Sequence, residues 1–213
     1  PRRAYDDKLA LILRTAAAIF ADKGYHDSSI RDISRATGIS LSGLYYYFRS
    51  KDELLFLIQD HCFSVVLESA QQALAGETDP ETRLRLLVEN HLRFFINNMK
   101  EMKVLSHEAG SLTGDYKRVV NAKKRQYTEL CIQVLGELLP TTDEAERRVA
   151  AFSLFGMMNW IYNWYSPERD VPVAELARNM SQLFLFGYLG AGRTQATEHV
   201  AAGGSKAKSI WKT

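Results

Sequence analysis

Residues 28–51 read SSIRDISRATGISLSGLYYYFRSK and have the pattern of two short helices joined by a tight turn. Ser28 or Ser29 can cap the first helix, because a serine hydroxyl accepts hydrogen bonds from free N–H groups in the first helical turn. Gly38 permits the left-handed backbone that closes this helix, and Ser40 can cap the second. The arrangement is typical of a helix-turn-helix unit, which places its second helix in the major groove of DNA.

The two faces of this helix-turn-helix unit differ in chemistry. One face predicts an apolar seam between the helices, formed by Ile33, Ile39, Leu44 and Phe48. The outward side chains are small or hydrogen-bonding, which suits phosphates and base edges. An alternative is that the aromatic run 45–48 is only core, but Tyr45 and Tyr46 cannot join the seam at helical spacing. The pattern therefore favours DNA binding.

Helical patterns extend from this unit in both directions. Apolar residues recur every three or four positions from Leu9 to Phe20, which predicts a preceding helix. Ser50 and Glu53 form a capping box that opens a much longer helix. The pattern then stays helical to about residue 190, without the alternating runs or Asn-Gly turns of β-hairpins.

The sequence therefore predicts an all-α fold of about nine helices. We expect a three-helix DNA-binding domain over residues 1–51, a helical bundle for ligand binding and dimerisation over 52–190, and a flexible tail over 191–213. The first of these ranges contains nine Lys or Arg and five Asp, a surplus of four positive charges. Such a surplus suits a nucleic-acid partner.

Composition excludes several other classes of protein. Of the 213 residues, 46% are hydrophobic and 24% are charged, which argues against a disordered or low-complexity chain. No apolar run reaches the roughly 18 residues of a membrane span, and the N-terminus lacks the order of a signal peptide. We therefore expect a cytoplasmic protein with no membrane partner. Cys62 and Cys131 are expected to be reduced, buried thiols.

Sequence motifs for catalysis and metal binding are missing. The histidines never fall at the spacing of a helical zinc site, and no cysteine pair accompanies them. The Gly-Gly-Ser-Lys stretch at 203–206 lacks the preceding strand that a phosphate loop needs. We predict no metal site, no cofactor and no enzymatic activity.

The helix-turn-helix motif resembles that of the tetracycline-repressor (TetR) family of bacterial regulators. The similarity extends from Leu9 to Leu55 and departs from the family pattern at Ser28-Ser29 and at Leu41. It rests on Ser29, Asp32-Ile33, Ala36, Gly38-Ile39-Ser40, Gly43-Leu44-Tyr45-Tyr46-Tyr47-Phe48 and Ser50-Lys51-Asp52-Glu53-Leu54.

This resemblance implies a repressor that binds operator DNA. Because operator symmetry mirrors the symmetry of a dimer, the operator should be palindromic. The phosphate contacts that the resemblance implies are Ser29, Tyr45 and Lys51. The implied contacts to base edges are Arg31, Ser42 and Tyr46.

Two C-terminal helices, over 149–165 and 176–189, are apolar nearly all round. Such helices must be buried on more than one side, and a partner subunit is the economical cover in a chain of this length. We therefore predict a homodimer in which these helices form a four-helix bundle across the two-fold axis. The predicted interface residues are Phe152, Phe155, Gly156, Met180, Phe184 and Gly187.

The bundle carries more aromatic and methionine side chains than a small core requires, beside a basic run at 117–125. One interpretation is an apolar effector cavity with an anion site at its mouth, and a solvated helix face explains the basic run equally well. The predicted effector residues are Phe95, Met99, Leu105, Tyr116, Arg118, Lys124, Arg125, Tyr127, Trp160 and Trp164.

A second, weaker resemblance concerns the nature of the effector. Residues 159–167, 175–177 and 183–187 resemble the C-terminal part of TetR-family regulators of fatty-acid degradation that respond to acyl-coenzyme A. This implies a medium- or long-chain acyl-coenzyme A as effector and control of fatty-acid degradation genes. The alternatives are a regulator that senses lipophilic drugs or other small hydrophobic ligands, and a structural DNA-binding protein without an effector.

Overall fold

The computed structural model describes the backbone of residues 2–108 and 110–201 and the side chains of residues 5–108 and 110–187. Within these ranges the chain forms nine α-helices, one 3-10 helix and no strand, which confirms the all-α prediction. The helices are α1 (Arg2–Lys23), α2 (Ile30–Thr37), α3 (Leu41–Leu44), α4 (Lys51–Leu74), α5 (Pro80–Asn97), α6 (Met99–His107), α7 (Gly114–Leu138), α8 (Glu144–Asn159), the 3-10 helix (Trp160–Asn163) and α9 (Val173–Ala201).

Local hydrogen bonds delimit the helix-turn-helix unit formed by α2 and α3. The Ser29 hydroxyl accepts from the backbone N–H of Asp32, whose carboxylate accepts from the backbone N–H of Ser29. Gly38 ends α2 at a φ of 71°, a left-handed conformation that glycine adopts without strain. The Ser40 hydroxyl accepts from the backbone N–H of Gly43 and begins α3. The predicted caps are therefore present.

An apolar seam joins α2 and α3 and packs against α1. Ile33, Leu44 and Phe48 are buried in the same cluster as Ile12 of α1. Ile39 is only partly buried at its edge. Since these side chains face inward, the opposite face of α3 is left to solvent, as the helical spacing predicts.

Helix α5 lies at the centre of the bundle and packs against α4, α7, α8 and α9. Cys62 of α4 and Cys131 of α7 are buried and free, which confirms the prediction of reduced thiols. In the part of the chain that the structure describes, no helix is long and apolar enough to cross a membrane. The same part contains no group of three or more His, Cys, Asp or Glu side chains able to hold a metal ion.

Two helices connect the helix-turn-helix unit to the bundle. Helix α4 follows the unit directly and packs against α5 and α7. Helix α6 packs against both α1 and α4, and Lys100 of α6 forms an ion pair with Asp22 of α1. A movement of α6 within the bundle would therefore displace α1 directly, without a movement of α4.

The predicted boundary between bundle and tail lies within the last helix and stays a prediction. Helix α9 continues to Ala201 and so includes residues 191–201. Residues 202–213 of the predicted tail lie outside the described residues. The boundary between the predicted domains, at residues 51 and 52, falls in the first turn of α4 and stays a prediction.

Candidate DNA-binding surface and effector cavity

Helix α3 and the residues around it expose the side chains predicted to contact bases. Arg31, Ser42 and Tyr46 are all exposed, and Tyr46 has 74% of its surface accessible. The edge of the Tyr46 ring meets Tyr5 of α1, with ring centroids 5.9 Å apart. Packing against α1 thus orients a side chain that is otherwise free to meet DNA. Base contact by these residues stays a prediction.

Among the predicted phosphate contacts, Tyr45 and Ser29 are also exposed. The Ser29 hydroxyl donates to the Asp32 carboxylate at 2.7 Å while accepting from the Asp32 backbone. This hydroxyl, together with Lys23, holds the pKa of Asp32 below its usual range. A phosphate at Ser29 would therefore compete with an existing capping interaction.

Lys51, the third predicted phosphate contact, is partly buried and is held by backbone carbonyls. Its ammonium group donates to the backbone carbonyls of Tyr25, His26 and Ser28 at 2.6, 3.3 and 2.8 Å, and it lies 4.5 Å from the centroid of the Tyr25 ring. An ammonium group has three protons to donate, so all three are engaged here. In this structure Lys51 holds the loop between α1 and α2 against the start of α4, and its contact with a DNA phosphate stays a prediction.

Replacing Lys51 with methionine should lower the free energy of unfolding by about 2 kcal/mol, since hydrogen bonds from a charged donor are lost. Urea denaturation measures the change. Lys117→Met, at an exposed position of α7, is the matched control and should change stability little. Unchanged stability of Lys51→Met would contradict a structural role for Lys51. If the slope of log K for DNA binding against log salt concentration also fell by about one unit, Lys51 would be assigned to a phosphate contact.

A cavity of about 340 Å³ lies within the bundle, between α4, α5, α6, α7 and α8. Its volume is within the range of roughly 300–1,000 Å³ that small-molecule sites occupy. Four predicted effector residues line it: Phe95, Leu105, Lys124 and Tyr127. Much of the remaining wall is apolar and includes Cys62, Phe63, Val66, Phe94 and Met102.

His91 of α5, the most enclosed polar group of this cavity, is not among the predicted effector residues. Its Nδ1 lies 3.1 Å from the Tyr127 hydroxyl and its Nε2 lies 3.0 Å from Oδ1 of Asn159, while its ring stacks on Phe95. Burial lowers the pKa of His91 to about 4, so the ring is neutral near pH 7. These partners are 36 and 68 residues away in sequence, so no local pattern could indicate them.

Lys124 supplies a cationic group in the cavity wall. Its Nζ lies 5.1 Å from the centroid of the Phe63 ring, and burial lowers its pKa. The ion pairs of the described residues do not include Lys124, whereas the neighbouring Lys123 pairs with Asp60 of α4. Lys124 is thus available to an anionic group on a ligand.

The other basic residues predicted for the effector site lie outside the cavity. Arg118 is exposed and pairs with Asp115 at 3.0 Å, one turn away on α7. Arg125 is exposed on the same helix. Of this basic run only Lys124 lines the cavity, while Lys123 faces α4 and pairs there with Asp60. The solvated-face interpretation therefore holds for most of the run.

The remaining aromatic and methionine predictions are also corrected. Tyr116 stacks on Phe56 with ring centroids 4.5 Å apart and does not line the cavity. Trp160 and Trp164 lie on the surface, with 61% and 48% of their area accessible. Met99 is partly buried but does not line the cavity either. The chain leaves α-helical geometry at residue 160, which changes the direction of the side chains that follow.

Three of the residues predicted for the dimer interface are buried within the single chain. Phe155, Met180 and Phe184 each have only 8% of their surface accessible within one chain, so they belong mainly to the core. Phe155 and Phe152 also line the cavity. Phe155, Met180 and Phe184 are buried because the inner faces of α8 and α9 are covered by the chain's own helices, and the dimer interface itself stays a prediction.

An exposed apolar stripe remains on α8 and α9. It contains the predicted residues Phe152, Gly156 and Gly187, and a Cβ at either glycine would meet no atom within 4 Å. The most exposed members of this stripe are not among the predicted interface residues. These are Val149, Leu183 and Phe186, with 68%, 70% and 80% of their surface accessible.

Two stretches of the chain match families of known proteins. Residues 12–58 match the family described as bacterial regulatory proteins, tetR family, and residues 77–188 match the tetracyclin repressor-like, C-terminal domain. The chain belongs to the TetR family. This confirms the resemblance found in the helix-turn-helix motif and identifies a transcriptional regulator.

Two solved structures and one curated relative are similar to most of this chain. A regulator from Bordetella parapertussis is 33% identical, has a TM-score of 0.81, and covers 87% of this chain and 98% of its own. AibR, solved in complex with isovaleryl coenzyme A and operator DNA, is 26% identical with a TM-score of 0.73, covering 82% and 96%. The transcriptional activator FasR of Mycolicibacterium smegmatis is 28% identical over 156 residues, 72% of this chain and 68% of FasR.

Proposed function

We propose that this TetR-family regulator is a ligand-responsive repressor that binds a palindromic operator as a homodimer and is released by a medium- or long-chain acyl-coenzyme A. It would control fatty-acid degradation genes in the cytoplasm. The observation that carries the proposal is the apolar cavity with the unpaired cation of Lys124 in its wall. Such a cavity suits a ligand with an apolar chain and an anionic part.

The comparisons support this choice of ligand. AibR was solved with isovaleryl coenzyme A, and a relative in Bacillus subtilis, 18% identical, is described as a fatty acid metabolism regulator protein. Each methylene of the acyl chain buried in the cavity contributes roughly 0.8 kcal/mol. The coenzyme phosphates would stay near the surface, since about 340 Å³ accommodates only part of so large a ligand.

Helix α6 offers a route from the cavity to DNA. Its residues Met102 and Leu105 line the cavity, and its Lys100 pairs with Asp22 of α1. A ligand that displaces α6 would therefore reposition α1 and the helix-turn-helix unit. A coupling free energy of about 1–3 kcal/mol per site would lower operator affinity appreciably.

Titration with a chain-length series tests the proposal. A near-palindromic operator is first obtained by selection from random DNA and labelled for fluorescence anisotropy. Decanoyl- and palmitoyl-coenzyme A should release the protein from this operator at lower concentrations than acetyl-coenzyme A. Lys124→Met should raise the concentration needed, and the exposed control Lys117→Met should not. Failure of every acyl-coenzyme A to bind at about 100 μM would discard this ligand class.

The second candidate is a TetR-family sensor of lipophilic drugs or other small hydrophobic ligands. It is favoured by one observation: Lys124 is the single Lys or Arg among the described residues that line the cavity. Release of the operator by uncharged hydrophobic compounds, and not by acyl-coenzyme A, would establish it. A structural DNA-binding protein without an effector is disfavoured by the cavity itself.

A further inference from the structure

The face of helix α8 that lines the cavity continues toward the start of the helix. Phe152, Phe155 and Asn159 line the cavity, and Arg148 lies one turn before Phe152. Spacings of four, three and four residues place these four side chains on one face of α8. Phe152 and Asn159 are also exposed, so the cavity meets solvent along this face. Arg148 therefore lies beside an edge of the cavity.

An aromatic contact holds Arg148 at this edge. Its Cζ lies 5.0 Å from the centroid of the Phe152 ring, which is the distance of a cation–π contact. The side chain is exposed, and the ion pairs of the described residues do not include it. Since a guanidinium group carries five N–H donors, Arg148 is a positioned cation that can still bind an anion.

Two cations of the described residues lie over rings that line the cavity. Lys124 lies over Phe63 in the wall, and Arg148 lies over Phe152 at the edge. The neighbouring Arg147 is engaged differently, because its guanidinium group donates to the Thr142 hydroxyl and the Pro140 carbonyl. Lys124 and Arg148 thus mark an inner and an outer position for the negative charge of one ligand.

We propose that Arg148 binds a phosphate group of the coenzyme A part of the effector, outside the cavity and beside Phe152. A cavity of about 340 Å³ accommodates only part of an acyl-coenzyme A, so the phosphates must lie beyond its edge. Arginine binds phosphate through two parallel hydrogen bonds, which fixes the orientation of the group as well as its position. This inference rests on the proposed function. It places the anion site on α8, whereas the basic run at 117–125 predicts it on α7.

The expected contribution of Arg148 is moderate. Ion pairs between exposed groups contribute little, whereas hydrogen bonds to a charged group contribute more. Arg148 is exposed, but Phe152 already orients its side chain, so less freedom is lost when a phosphate binds. We therefore expect removal of its charge to weaken coenzyme A binding by roughly three- to tenfold.

Calorimetric titration of the full chain with two probes tests the inference. Decanoyl-coenzyme A and S-decanoyl-pantetheine share the acyl chain and the thioester, but only the first carries phosphates. The first should bind the unmodified protein roughly 10-fold more tightly than the second. Arg148→Met should lower this ratio by about threefold or more and leave the affinity for S-decanoyl-pantetheine unchanged. Arg125→Met, at an exposed position of α7 outside the cavity lining, is the matched control and should preserve the ratio.

Sedimentation equilibrium verifies that Arg148→Met keeps the oligomeric state of the unmodified protein, since Phe152 also belongs to the exposed stripe of α8. Equal binding of the two probes by the unmodified protein would discard the phosphate site and leave the acyl chain as the recognised part. A ratio that Arg148→Met preserves would assign the phosphates to other residues. Equal weakening of both probes by Arg148→Met would show that Arg148 acts only by packing on Phe152. No binding of either probe would discard the inference together with the proposed effector.

Discussion

Leu183→Asp should leave the protein monomeric at micromolar concentration and abolish high-affinity operator binding. Leu183 projects from α9 with 70% of its surface accessible, beside Phe186 and near the exposed stripe of α8. In a homodimer whose interface is this stripe, an aspartate would be buried without a partner at a cost of several kcal/mol, roughly. Because the side chain does not contribute to the core of one chain, the monomer should stay folded.

Sedimentation equilibrium measures the oligomeric state, and circular dichroism verifies that the helices remain. Val119→Asp is the matched control, because Val119 is an exposed apolar residue of α7, outside the stripe. It should stay dimeric. Phe184→Asp would be a poor test, since Phe184 is mostly buried and its replacement would unfold the chain. Persistence of the dimer in both Leu183→Asp and Phe186→Asp would place the interface elsewhere.

Acidification should destabilise the protein through His91. The pKa of His91 is about 4 in the folded chain against about 6.5 in an unfolded one, so the unfolded state binds more protons between these values. The stabilisation is therefore complete above pH 6.5 and is lost as the pH falls toward 4. The loss between pH 7 and pH 4 amounts to about 3 kcal/mol.

Urea denaturation at several pH values between 7 and 4 measures this loss. Carboxylates with lowered pKa values, such as Asp32 and Asp79, also titrate toward the acid end. The comparison with His91→Gln isolates the histidine, since glutamine has no proton to gain. The variant should be less stable at pH 7 and should show a smaller pH dependence between 6.5 and 5. Equal pH dependence in both proteins would contradict a buried neutral His91.

Much of the fold follows from interactions between near neighbours in sequence. Ser29 with Asp32, Ser40 with Gly43, and the left-handed Gly38 involve residues at most three apart or a single backbone angle. A sequence pattern records such contacts directly. The alternation of inward and outward positions in the helix-turn-helix unit is equally local, and it placed Tyr45 and Tyr46 on the exposed side.

The exposed apolar stripe on α8 and α9 shows where sequence patterns stop being informative. Helices α8 and α9 carry apolar residues nearly all round, so their periodicity cannot tell which side faces the chain's own core. Packing against α5 buries Phe184 and leaves Leu183 and Phe186 exposed, although all three are large and apolar. Only the arrangement of the helices decides between them.

The sequence by itself determined the all-α fold, the helix-turn-helix unit and the family, because caps, turns and helical periodicity are encoded within a few residues. Only the tertiary structure determined which groups Lys51 and His91 contact. Lys51 meets carbonyls 23 to 26 residues away, and His91 meets Tyr127 and Asn159 from two other helices. His91 is buried, and so stays neutral, only when distant helices pack around it. The same packing places Lys124 in the cavity wall.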